Sequence, residues 1–507
     1  MVGVAGRSKG CVTCRKRKKG CDLTTPECGQ CKDRGIKCGG YDVDRIFIYQ
    51  SSGANSLAPK ASKPATTKVA CEKPHPYDTQ MVCVTPACSQ GMRDTRLNPV
   101  PIMLPDSLAR SAYKEITMAT FLRIYNPQGV IRATNADARE FVSMLPLLSS
   151  RDQALQMAAL AVGITQLGVT TDNEALTRQG RKMYGKALRE TAVALRNPTR
   201  VASESMLVVP RVMALFDLMF GAEPESANQA KSWLSHVEGE LAMIVNRGPE
   251  VFSKSDAAHA IFVHARYRLL WPAFRSRQST ILNNEEWKTV PWKGRAKSPD
   301  DHLLDILCGV PELLEAVDRL QFEPMDEADR EGLQVYTLSR CWTLHFQLQE
   351  WVDSEANACY VPKIIDTSTP ITFPNIDIAC ITVRYWLAAL FLYSALDIAS
   401  GIDPTTDTLL SHPDRPHPRP FARMIINSVN YFSQEEFGIT GVMAMAMPLG
   451  NALLYMNRNR EPDEGYIMTI MDLWHRPDMP STLREFLKSF RQTVDIRTSR
   501  AIPTRQL

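Results

Sequence analysis

From Asp106 onward, apolar side chains recur three and four residues apart, the spacing that puts them on one face of an α-helix. Ser107 caps a run toward Ile124 that Asn126-Pro127 ends. Ala154, Leu155, Met157, Ala158, Leu160 and Ala161 give 151–168 a strongly helix-forming composition. The pattern predicts further helices over 176–195, stopped before Asn197-Pro198, and over 203–220, which Pro210 either kinks or starts. It continues over 229–246, stopped by Gly248-Pro249, then 255–271, 301–318, 330–352, 374–397, 419–435, 441–457, 463–475 and 481–494. Strand signals are few, and no glycine-rich phosphate loop follows one. Residues 106–500 therefore read as one large all-α domain. The uncharged stretch Phe437–Met456 contains Gly438, Gly441, Pro448, Gly450 and Asn451. It suits a buried helix pair with a bend better than a membrane span, so no membrane partner is expected.

Upstream the periodicity fails. Ser51-Ser52-Gly53, the run LAPKASKPATT and recurrent prolines from Pro74 to Pro105 mark 42–105 as a flexible, disordered linker without an apolar heptad. Residues 8–41 form a separate module too short to bury an adequate apolar core.

Charge sharpens that division. The formal net charge of +4 combines +7 in residues 1–40 with −3 in the remainder. Thirteen cysteines, an odd number and scattered after the first six, do not resemble a disulfide scaffold. The opening MVGVAGRSKG shows no apolar secretory segment. Both features point to a reducing compartment that keeps thiols available for metal.

The chemistry is concentrated in those first six cysteines. Cys11, Cys14 and Cys21 sit at offsets of 0, 3 and 10, and Cys28, Cys31 and Cys38 repeat the offsets 17 residues later. Zinc takes thiolates in tetrahedral fours, so six serve two ions only when two of them bridge. The repetition implies two short helix-plus-turn units related by an approximate two-fold axis, with Gly20 and Gly29 easing the backbone near the ligands. Five contiguous cations, Arg15, Lys16, Arg17, Lys18 and Lys19, follow the first Cys-x-x-Cys pair. They suit phosphate, or nuclear import, or both. A zinc module that docks another protein or RNA is the competing reading. No enzyme is indicated: no hydrolase, metalloprotease or kinase motif is present, and His259 and His264 are too far apart for one helical metal site. His236 reads as a packing residue, His412 and His417 as part of an exposed proline-rich loop, and Met443, Met445 and Met447 as core.

CVTCRKRKKGC, followed by PECGQC and KC, resembles the fungal two-zinc, six-cysteine binuclear cluster of the galactose-regulator class. The resemblance implies two Zn2+ bound by Cys11, Cys14, Cys21, Cys28, Cys31 and Cys38, with Cys11 and Cys28 bridging. It places the base-reading lysine at Lys18, meeting a CGG-like triplet in the major groove, and phosphate contacts at Arg15, Lys16, Arg17 and Lys19. Pro26 falls at the family's loop proline, and Gly20 replaces a further lysine of many members. Behind the module, LPLLSSRDQALQMAALAVGITQLG, YGKAL and WLSHVEGELAMIVNRGP resemble the fungal-specific transcription factor domain, with His236 and Gly239 at recurring positions. The whole then implies a nuclear regulator of RNA polymerase II genes. Its partners would be double-stranded DNA and the transcription machinery, with binding as a monomer or as a homodimer through the helical domain.

Overall fold

The computed structural model describes residues 11–22, 24, 27–38, 106–125, 136–221, 226–355, 370–401 and 414–458. Contacts divide the chain into two units, Met1–Pro86 and Ala87–Leu507. The readings of 42–105 as linker and of helices at 463–475 and 481–494 lie outside the described residues.

The first unit holds α1 (Val12–Lys16) and α2 (Gly29–Lys32), which pack together around cysteine sulfur. The second opens with α3 (Asp106–Tyr125), α4 (Ala136–Arg151), α5 (Gln153–Thr170) and α6 (Glu174–Ala194). After α7 (Pro198–Val201) come α8 (Glu204–Phe220), α9 (Ser226–Arg247), α10 (Glu250–Lys254), α11 (Asp256–Leu269), α12 (Trp271–Ser276) and α13 (Glu285–Thr289). The rest comprises α14 (Pro299–Leu307), α15 (Val310–Phe322), α16 (Glu327–Ser354), α17 (Ile376–Ala399), α18 (Pro418–Asn427), α19 (Val429–Phe432) and α20 (Gly438–Arg458). No strand occurs among the described residues, so the unit is all-helical as expected.

Two helices lie deepest. Fifteen of the 17 residues of α8 are buried, against α5 and α9, and α17 is enclosed by α15, α16, α18 and α20. Such helices are apolar all round because every face meets protein. By length and composition, α17 and the segment Glu435–Met456 are each apolar enough to cross a membrane, yet most of α17 is buried in this core. The latter region is not a bent helix pair: α20 is one helix that contains Pro448.

Side-chain caps set several boundaries that periodicity blurs. Asp152 accepts from the Ala154 N–H and separates α4 from α5. α4 itself went unassigned in the sequence because Pro146 lies within it. The stretch 301–318 divides at Cys308-Gly309, with Pro311 in the first turn of α15. The stretch 255–271 ends in α11 before α12 begins, and 419–435 divides at Ser428. Pro210 lies in the interior of α8 rather than at its start.

α5 and α6 approach closely because glycines line their contact. A Cβ at Gly180 would stand 2.0 Å from Thr165 Oγ1, and one at Gly168 would stand 2.5 Å from the Thr177 backbone nitrogen on α6. A buried charged cluster in this unit is internally paired. Arg211 donates to Glu240 (2.7 Å) and to the Ile261 carbonyl (2.9 Å), and Arg268 pairs with the other Glu240 oxygen. The guanidinium of Arg211 also covers the Phe141 ring at 4.4 Å and lies 3.0 Å from His264 Nδ1. Burial first, then Arg211, Arg268 and Arg384, push the His264 pKa well below its ordinary value.

Candidate metal centre and nucleic-acid interface

The module is built on sulfur. Cys11, Cys14, Cys28 and Cys31 are fully or almost fully buried, and Cys21 and Cys38 pack against them. Two four-thiolate sets emerge, Cys11, Cys14, Cys21 and Cys28, and Cys11, Cys28, Cys31 and Cys38, each with its sulfurs within 4.8 Å of one another. They share Cys11 and Cys28. The shared edge is 3.7 Å; Cys14 to Cys28 is 3.7 Å in the first set, and Cys11 to Cys31 is 3.8 Å in the second. A tetrahedron with zinc–sulfur arms of about 2.3 Å has edges of about 3.8 Å. The spacing therefore fits two tetrahedral ions with two bridging thiolates, and all six cysteines are free of disulfides. Each set is positioned to coordinate one metal ion.

Without a metal, burial favours the neutral thiols here. Desolvation raises the Cys14 thiol to about 12 and shifts Cys28 and Cys31 in the same direction. Such groups would stay protonated at neutral pH on their own, whereas a bound divalent ion deprotonates a coordinating thiol outright. Backbone donors already address the sulfurs: the Cys14 N–H donates to Cys11 Sγ (3.3 Å) and the Cys11 N–H to Cys21 Sγ (3.4 Å).

The loop that joins the halves is held from both ends. Asp22 accepts from the Gly29 N–H at 2.9 Å, at the start of α2, and Thr24 accepts from it at 3.0 Å. A Cβ at Gly29 would stand 2.5 Å from Asp22 Oδ2, so a larger residue would push this carboxylate aside. Gly20, by contrast, has nothing within 4 Å and no positive φ, so neither space nor backbone demands glycine there. Thr13 Oγ1 donates to the Lys37 carbonyl at 3.1 Å, tying the halves together. Pro26 lies outside the described residues.

Lys16, Arg17, Lys18 and Lys19 are exposed at and beyond the end of α1, with no side-chain hydrogen bond or ion pair among the described residues. The side chain of Arg15 lies outside those described. The second half adds exposed Lys32, Arg34 and Lys37, which the sequence reading did not single out. The 17-residue offset locates two of them, because Lys32 and Arg34 are the repeats of Arg15 and Arg17.

The helical unit supplies packing rather than a reactive cluster at the positions singled out. His236 Nε2 lies 2.9 Å from the Tyr184 hydroxyl and 3.1 Å from buried Asp217, an interhelical polar tie. His417 is not simply in an exposed loop: its Nδ1 accepts from the Arg419 N–H and caps α18, beside buried Arg415 paired with Asp397. His412 lies outside the described residues. Met445 and Met447 are core, with Met443 packed against it.

Comparison with known proteins agrees with this geometry. The model of the fungal Zn(2)-Cys(6) binuclear cluster domain matches residues 9–45, and that of the fungal specific transcription factor domain matches residues 131–314. Both are domains of a non-catalytic, DNA-binding transcription-factor family. Arginine metabolism regulation protein II of Saccharomyces cerevisiae is 51% identical over 41 residues, 8% of this chain and 5% of that protein. Aspercryptin biosynthesis cluster-specific transcription regulator atnN of Emericella nidulans is 51% identical over 39 residues, 8% of this chain and 6% of that protein. The chain thus aligns with only about a twentieth of either relative's length. No solved structure matches it. By these matches and by its paired thiolate sets, the chain carries a fungal Zn(2)-Cys(6) binuclear cluster domain followed by a fungal specific transcription factor domain.

Proposed function

We propose that this protein is a nuclear, zinc-dependent, sequence-specific regulator of RNA polymerase II genes that binds double-stranded DNA through residues 8–41. The observation that carries the reading is the pair of four-thiolate sets sharing Cys11 and Cys28, joined to Lys16, Arg17, Lys18 and Lys19, exposed and without a side-chain hydrogen bond or ion pair among the described residues. Bound zinc would supply fixed charge and geometry that hold α1 rigid. Cys11, Cys14, Cys21, Cys28, Cys31 and Cys38 are its ligands. Lys18, just beyond α1, donates to guanine O6 and N7 of a CGG-like triplet in the major groove. Arg15, Lys16, Arg17 and Lys19 contact phosphates, which position the module without reading sequence. Residues 42–105 tether it to a regulatory helical domain, 106–500, which addresses the transcription machinery, and the protein binds as a monomer or as a homodimer formed through that domain.

The test is a selection of duplexes by the full-length, zinc-loaded chain. Enrichment of CGG-containing sites that disappears on chelation supports the reading. Two bound zinc ions with equal affinity for every duplex would instead favour a module that docks protein or RNA.

A further inference from the structure

We propose that the exposed face of α6 is a second phosphate contact, so that DNA held by the zinc module is also gripped by the helical domain. The proposal rests on the DNA-binding reading above. Arg178, Lys182, Lys186 and Arg189 follow one another at intervals of four, four and three residues, and Arg196 continues the row just past the helix end. Those intervals place them along one face. All five are exposed, and none has a hydrogen bond or ion pair through its side chain among the described residues.

Their neighbours are engaged elsewhere. Arg181 donates to the carbonyls of Phe220 and Gly221 at the end of α8. Glu190, one of two acids on α6, is taken by Arg200 at 2.8 Å. The adjoining α5 carries no charged side chain. The row is thus bounded by exposed Glu174 one turn before Arg178 and by Glu190 at its other end, with no acid between Arg178 and Arg189, although the chain beyond residue 40 is net negative. Like charges spaced this way repel one another on an isolated helix, and a polyanion relieves that repulsion.

Arg178 to Arg189 spans about 16 Å of helix axis, and a duplex presents one negative charge per about 1.7 Å. Between these two residues no apolar side chain is exposed; Val193 and Leu195 are exposed only beyond Arg189, before Arg196. Protein interfaces draw their energy from apolar and aromatic anchors, so phosphate suits this face better than an acidic protein surface. A tethered module would hold the same duplex at high effective concentration.

The experiment compares the full-length, zinc-loaded protein with the triple variant Lys182→Gln, Lys186→Gln, Arg189→Gln. Two duplexes share one central site; the short one covers only the module's footprint, and the long one extends well beyond it. On the long duplex the variant should show a salt slope shallower by about 3, so that the wild-type advantage shrinks about 40-fold between 50 and 200 mM salt. On the short duplex the two proteins should behave alike. If the wild type shows no site preference on the short duplex, the DNA-binding reading fails and the proposal with it. If the wild type reads its site but the variant keeps the wild-type slope on the long duplex, the proposal alone is overturned.

Discussion

Lys18 and Gly35 hold the same left-handed backbone position, φ 52° and 62°, 17 residues apart at the ends of the two cluster helices. The hydrogen bond beyond each repeats as well: the Lys19 N–H donates to the Cys14 carbonyl and the Ile36 N–H to the Cys31 carbonyl, both at 3.1 Å. This six-to-one closure is the Schellman ending, which asks for glycine at the left-handed residue. The second half obeys. The first places a lysine there, against the steric preference of an L-residue. The internal repeat thus breaks at the residue proposed above to read bases, where a side chain projects that the other half lacks.

That relationship separates backbone from side chain. Lys18→Gly removes the ammonium and relieves the left-handed strain, whereas Lys18→Ala removes the ammonium and keeps the strain. Both should lose about tenfold or more in preference for the cognate triplet over an altered one. In a chelator titration, Lys18→Gly should hold zinc at least as well as the wild type, and Lys18→Ala no better. A loss of preference confined to one of the two would assign the effect to the backbone.

The shared edge makes the cysteines unequal. Cys28 belongs to both sulfur sets and Cys14 to one. Cys28→Ser should therefore leave close to no tightly bound zinc, while Cys14→Ser retains about one equivalent in the intact set. Zinc per chain after desalting measures this directly. Equal losses in the two variants would rule out bridging.

The cluster was legible because metal ligation imposes fixed offsets that survive in the one-dimensional order of Cys11 to Cys38. The all-α character of the second unit was legible from periodicity. Its boundaries were less so, since they depend on single side chains such as Asp152, or on a proline tolerated inside α4. The cations Lys32, Arg34 and Lys37 escaped notice because they are not contiguous, and those of α6 because every third or fourth residue of a solvated helix is commonly charged. The Arg211–Glu240–Arg268 grouping joins residues 29 and 28 apart in sequence on three helices, and no local pattern announces it.

Glycines on α6 and α9 should respond in opposite ways. At Gly180 a methyl group would stand 2.0 Å from Thr165 Oγ1 and 2.8 Å from the Thr165 backbone nitrogen, so α5 and α6 must move apart. Gly180→Ala should cost roughly 1–3 kcal/mol, the scale of overpacking. Gly239 has nothing within 4 Å of its added Cβ, and Gly239→Ala should stabilise by up to about 1 kcal/mol through helix propensity. Denaturant midpoints of the two variants decide the matter; destabilisation by Gly239→Ala would show a contact on that face.

Acid should weaken the helical domain through His264. Its folded pKa lies below the unfolded value, because burial and the guanidinium groups of Arg211, Arg268 and Arg384 oppose a second charge. In the pH window beneath the unfolded value of about 6.5, the unfolded chain takes up a proton that the folded chain refuses. Stability is therefore complete above that value and falls as pH falls, by at most about 1.4 kcal/mol per pH unit for this group. Burial lowers His345 as well, so it adds to the loss in the same window. His264→Gln keeps an acceptor facing Arg211 and removes the titration. Helical signal followed through denaturant at pH 7.5, 6.5 and 5.5 reports the second unit, since α1 and α2 contribute only nine helical residues. The variant should lose less stability between pH 6.5 and 5.5 than the wild type, whereas parallel losses would place the acid sensitivity in other groups.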